Sequence, residues 1–163
     1  DLFFAGQRPA VNVGLSVSRV GGDAQTKAMK TAAGALRLDL AQYREMEVFT
    51  QFSSDLDEVT KKQLQYGQGL MRLLRQPQYH PMQQHEQVVL LIAALNHVMQ
   101  DVPVEKIDQF RSEYLAYMQD AASALCAQID QTGMLSKEDY QSVLQLAKQF
   151  QQSTAERYVP QTR

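Results

Sequence analysis

Two arginines, Arg8 and Arg19, stand on a glycine-flanked stretch of small, β-prone and turn-forming residues, RPAVNVGLSVSRVGG over positions 8–22. A guanidinium on a stiff support can meet phosphate oxygens with a planar fork of donors, which a lysine cannot do. Taken alone, these residues favour a plainer role, an arginine paired with a nearby carboxylate. The following run, Gly21-Gly22-Asp23-Ala24-Gln25-Thr26-Lys27, has the composition of a phosphate-binding loop but not its order. That loop requires G-x-x-x-x-G-K-[ST], with the hydroxyl after the lysine, and here Thr precedes Lys. A turn into a helix accounts for it better. His80, His85 and His97 lack the i, i+4 spacing that places two imidazoles around one zinc, and no metal site is expected. The single cysteine, Cys126, lies among alanines with no cation nearby to lower its pKa, so it reads as a buried, inert thiol. No residue set forms a complete active site.

What must position these groups is a polypeptide of 163 residues, long enough for one hydrophobic core. Its composition is 44% hydrophobic and 21% charged, with a formal net charge of -2. That balance excludes a general nucleic-acid binder, which needs clustered positive charge to displace counterions. The longest strongly apolar run, Val88 to Leu95, is too short for a membrane-spanning helix, which takes about 20 residues, so no direct insertion into a bilayer is expected. The first residue is Asp rather than Met, and the sequence reads as a piece of a longer protein.

Residues 1–24 hold four of the eight glycines and too few apolar groups to fold alone. They read as strand and loop from the edge of a larger domain. From about Gln25 the apolar period becomes helical. Met29, Ala32, Ala33, Leu36, Leu40 and Tyr43 predict a first helix to about Gln51. Ser54, with Asp57 three residues on, offers the cap of a second helix ending near Pro77. Pro77 and Pro81 force a loop. A third helix is expected over 84–99. A fourth opens at Pro103 and closes on Gly133, and a fifth is capped by Ser136. The residues from 153 to 163 are polar and predict a flexible tail. The fold class is therefore mainly α: a bundle of five to six helices over 25–152, preceded by a short strand/loop segment.

These stretches resemble a known family. GQRPAVNVGLSVSRVGGDAQTKAMK is similar to the segment that closes the nucleotide-binding domain of F-type ATP synthase alpha subunits. LDLAQYREMEVFTQFSSDLD resembles the first helix and loop of that family's helical C-terminal domain, and LLRQPQYHPM matches its next landmark. The landmarks keep the family's order and spacing. The match is strong through about residue 87, beyond which mainly the helical pattern persists. SVSRVGG and SDLD are alpha-like rather than beta-like.

The resemblance implies roles that spacing alone does not. Arg19 corresponds to an arginine finger reaching the phosphates of ATP on a neighbouring beta subunit, and Ser16 to a supporting residue on the same segment. Phe3, Arg8, Pro9, Gln76 and Gln78 match positions around the adenine of a second nucleotide that alpha itself binds and does not hydrolyse. Asp55, in the loop SSDLD, matches a contact with the rotating stalk; helix capping explains the same residues equally well. The implied cofactor is ATP or ADP with Mg, the metal held mainly by residues outside this sequence. The implied partners are the rest of the alpha subunit, beta subunits in an alternating hexamer, the central stalk gamma subunit and the peripheral stalk. The implied location is a peripheral head on the matrix side of the mitochondrial inner membrane, or alternatively the cytoplasmic side of a bacterial plasma membrane. A competing reading is a stand-alone helical interaction module with no nucleotide role.

Overall fold

The computed structural model describes residues 3–4, 6–12, 18–50 and 56–158, the side chains of 49 and 50 excepted. Its helices are α1 (Arg19–Ala24), α2 (Lys27–Ala32), α3 (Leu36–Thr50), α4 (Glu58–Leu73), α5 (Gln84–Leu95), α6 (Ile107–Ala121), α7 (Ser123–Thr132) and α8 (Lys137–Tyr158), with a 3-10 turn at Val104–Lys106 before α6. Among the described residues there is no strand.

The run VVLLIAA explains the centre of the fold. A helix apolar on every side must be surrounded, and Val88 through Ala94 of α5 are all buried. Helices α2, α6, α7 and α8 pack around it. Each buried Val, Leu or Ile there contributes about 1.5–3 kcal/mol of transfer free energy. Aromatic side chains fill the gap between α6 and α8: Phe110 lies edge-on to Phe150 at 5.2 Å and to Tyr158 at 5.3 Å. Helices α3 and α4 form a hairpin beside this core, and α4 also lies along α6.

Helix ends follow local chemistry. Gly133 ends α7 in the left-handed region, at φ 63°, and its carbonyl accepts from Ala28 N–H at 3.0 Å, tying α7 to α2. Ser136 Oγ accepts from Asp139 N–H at 3.0 Å, while Asp139 Oδ2 accepts from Ser136 N–H at 3.3 Å, so the box expected at the start of α8 is present.

Several expected boundaries move. The stretch before residue 25 is not all strand and loop: Ser18 Oγ accepts from Gly21 N–H at 2.8 Å and opens the short helix α1. The helix expected over 25–51 is broken by turn residues at 33–35, around Gly34. Helix α4 is capped by Asp57, whose Oδ1 accepts from Thr60 N–H at 2.6 Å; Ser54, expected as the cap, lies outside the described residues. The helix expected over 84–99 stops at Leu95, and a turn follows with His97 at φ 60°. The helix expected from Pro103 to Gly133 is divided at Ala122. At the other end α8 runs to Tyr158, where a flexible tail from 153 was expected. Thr154 and Tyr158 are buried, so packing against the core extends a polar-looking helix.

Candidate functional site

Helix α4 ends where Pro77 could not continue it, and the backbone from Arg75 to Gln83 turns back as a loop. Its base is fixed to α6. Arg72 Nε donates to Asp108 Oδ2 at 2.9 Å, and Arg111 Nη1 donates to the Arg75 carbonyl at 3.2 Å. The N-terminal segment then docks on this loop: Gln76 N–H donates to the Arg8 carbonyl at 2.9 Å. Gly6, at φ 81°, makes the turn that allows this approach; a Cβ there would face the Arg75 guanidinium at 3.4 Å.

Between the two segments lies a cleft of about 730 Å³ lined by residues 3, 8–10 and 76–81. Phe3, Arg8, Pro9, Gln76 and Gln78, singled out in the sequence, are all on its walls. The Arg8 guanidinium lies over the Phe3 ring, 4.5 Å from its centre. Gln76 Nε2 donates to the His80 carbonyl at 2.8 Å, which orients the amide and leaves its oxygen to accept elsewhere. The described lining residues include no carboxylate. Such a cleft offers apolar faces to a flat ring, amides to its edge and a guanidinium to an anionic group.

Sequence reasoning missed Tyr79. The His80 N–H donates to the Pro77 carbonyl at 3.4 Å, closing a turn whose third residue is Tyr79 at φ 64°. That place favours Gly or Asn, and a residue with a Cβ there costs about 1–2 kcal/mol. The prolines at 77 and 81 were the available signal that a tightly shaped loop stands here.

Arg19 is the first residue of α1 and is exposed. Among the described residues its side chain makes no hydrogen bond or ion pair, so the local carboxylate partner favoured by sequence alone is not found there. Ser16 and Asp55 lie outside the described residues. The remaining groups behave as plain structure. His85 meets Asp130 through Nδ1 at 2.6 Å, and His97 packs on Tyr66 with ring centres 4.4 Å apart. Cys126 is buried, and burial followed by the Asp130 charge pushes its thiol pKa up, away from reactivity. Among the described residues no group of three His, Cys, Asp or Glu could hold a metal ion. No described helix is long and apolar enough to cross a membrane.

Residues 25–150 match the family described as ATP synthase alpha/beta chain, C terminal domain. The sequence is 60% identical over 119 residues to an ATP synthase subunit alpha of Petrotoga mobilis, covering 73% of this protein and 24% of that one. It is 50% identical over 138 residues to the subunit alpha of Clostridium kluyveri, covering 85% and 27%. It is 46% identical over 155 residues to that of Syntrophomonas wolfei subsp. wolfei, covering 95% and 31%. The 163 residues thus span between about a quarter and a third of the length of these relatives.

Proposed function

This protein belongs to the family of ATP synthase alpha/beta C-terminal domains, and from that premise we propose that it serves two nucleotide sites of a rotary ATP synthase and completes neither. The first is a site on the alpha subunit itself, where ATP or ADP binds with Mg and is not hydrolysed. Phe3 and Pro9 pack on the adenine, and the Gln76 and Gln78 amides read its edge. Phosphates and metal fall to parts of the subunit outside these 163 residues. The observation that carries this reading is the hydrogen bond from Gln76 to the Arg8 carbonyl, because it joins both sets of base-contacting residues into one cleft.

The second site belongs to a neighbouring beta subunit, to which Arg19 lends its guanidinium. Charge on the transferring phosphoryl group must be stabilised, and a fixed donor does so without reorganising solvent. Such fingers in other phosphoryl-transfer enzymes are worth roughly 10³ to 10⁵ in rate. An exposed Arg19 with no partner among the described residues suits a group used by another subunit. Ser16 would support it, and Asp55 would touch the rotor. The assembly would be the alternating alpha/beta hexamer with its gamma stalk and peripheral stalk. All three relatives named above are bacterial, which favours the cytoplasmic face of a bacterial plasma membrane over the mitochondrial inner membrane.

The test is equilibrium binding of Mg-ADP to the full-length alpha subunit with Phe3→Ala. Binding weakens severalfold if the ring supports the base. Unchanged binding removes the adenine from this cleft.

A further inference from the structure

We propose that Tyr79 is a stacking residue of the cleft, a lid that covers the base of the bound nucleotide from the solvent side. The inference rests on the reading of the cleft as a base-binding site and adds to it a residue that reading did not contain.

Three observations converge on this side chain. Its backbone occupies the left-handed region, at φ 64°, in a turn where glycine or asparagine would be unstrained. Strained positions of this kind concentrate at ligand clamps, where surrounding structure holds them. Here the surroundings are visible: Gln76 Nε2 donates to the His80 carbonyl at 2.8 Å, bracing the loop across Tyr79, and Pro77 and Pro81 stiffen both sides. Yet the ring obtains little from its own surroundings, since Tyr79 is 88% exposed. It nonetheless lines the cleft that Phe3, Arg8, Gln76 and Gln78 enclose.

Among the described residues nothing covers this ring, and a ligand held in the cleft would supply that surface. The ligand chemistry follows from the walls. A flat π-system with polar edges fits between an aromatic face and a pair of amides, and aromatic stacking is tolerant of which base it meets. Tyr79 therefore contributes affinity for the base, while the Gln76 and Gln78 amides contribute both affinity and discrimination among bases. The phenol hydroxyl is not required.

The experiment uses the full-length alpha subunit with Tyr79→Phe, Tyr79→Asn and the double variant Gln76→Ala, Gln78→Ala. The probes are Mg-ADP and base-free tripolyphosphate with Mg. Asparagine tolerates the left-handed backbone, so Tyr79→Asn keeps the turn and replaces the ring by a short amide that cannot stack as a ring does. Its thermal midpoint, equal to or above that of the parent, confirms that the fold survives. Tyr79→Phe should bind Mg-ADP within twofold of the parent. Tyr79→Asn should bind Mg-ADP roughly five- to a hundredfold more weakly and tripolyphosphate unchanged. If Tyr79→Asn leaves Mg-ADP binding unchanged while the glutamine double variant weakens it, the lid is overturned and the base-binding cleft stands. If neither weakens it, both readings fall. Equal loss of both probes in Tyr79→Asn also overturns stacking, because a base-free ligand has nothing to stack.

Discussion

Gly67 and the ring of Tyr43 occupy what would otherwise be the same space. A Cβ built on Gly67 would lie 2.1 Å from Tyr43 Cδ2 and 2.3 Å from Cγ. The missing side chain lets α3 and α4 approach closely, and α4 carries the loop that forms one wall of the cleft. The ring cannot step aside freely, because the Tyr43 hydroxyl also donates to Glu47 Oε1 at 3.0 Å.

Gly67→Ala is therefore expected to destabilise the helical unit by about 3 kcal/mol, the upper range for overpacking. Denaturant titration measures the loss. Tyr43→Ala should cost less in the Gly67→Ala background than in the parent, because the clash is pairwise. Additive effects of the two changes would contradict the proposed contact.

Gly133→Ala should cost roughly 1–2 kcal/mol from its left-handed backbone alone, with more from a methyl 2.9 Å from Thr26 Cγ2. Thr26→Ser should relieve the second part. Serine removes that methyl but keeps the oxygen that accepts from Met29 N–H at 3.3 Å and Gln84 Nε2 at 2.9 Å. Thermal unfolding of the two single variants and the double variant checks the coupling.

Arg19→Ala in the assembled enzyme should leave assembly intact and lower multisite turnover by roughly 10³-fold or more. Arg19→Lys should restore little, since an ammonium lacks the planar fork. Steady-state ATP hydrolysis by the purified complex measures both. Near-normal turnover of Arg19→Ala would remove the finger from this residue.

Gln76→Ala combined with Gln78→Ala should reduce discrimination between adenine and guanine nucleotides at the alpha site more than it reduces total affinity. Competition between Mg-ADP and Mg-GDP on the full-length subunit reads the ratio. An unchanged ratio would place base reading elsewhere.

Two tyrosines beside the α3–α4 hairpin should give an alkaline limit to stability. Burial first, then the hydrogen bond to Glu47, raises the Tyr43 pKa from 10.0 to about 12. Burial and the Asp39 carboxylate, 2.6 Å from its hydroxyl, raise that of Tyr66 further. A raised folded pKa means that each contribution is complete below pH 10 and is lost as pH climbs through the folded value. Urea midpoints should be flat up to about pH 10 and fall above it. Tyr66→Phe should flatten that fall.

Much of this protein was legible in its residues taken in order. A helix holding VVLLIAA was expected from its apolar spacing, with one buried stripe; that every side of it is buried was decided by the helices packed around it. Gly133 and Ser136 announced a helix end and a helix start, since those ends are governed by backbone sterics and local hydrogen bonds. The stretch around Arg19 and the loop QPQYHPM pointed to the family, because long specific motifs survive without any knowledge of contacts. Other features were decided only by packing. The polar-looking segment from 153 to 158 is helical because Thr154 and Tyr158 find a core to enter. The cleft exists because backbone near residue 8 meets backbone near residue 76, a pairing that local periodicity does not encode. Gly67 matters only because Tyr43 stands opposite. Tyr79 is marked out only by its exposed ring and left-handed backbone on the wall of the same cleft. Propensity and capping act within a few residues and so can be read along a line, whereas close approach and enclosure depend on distances in space between segments far apart in sequence.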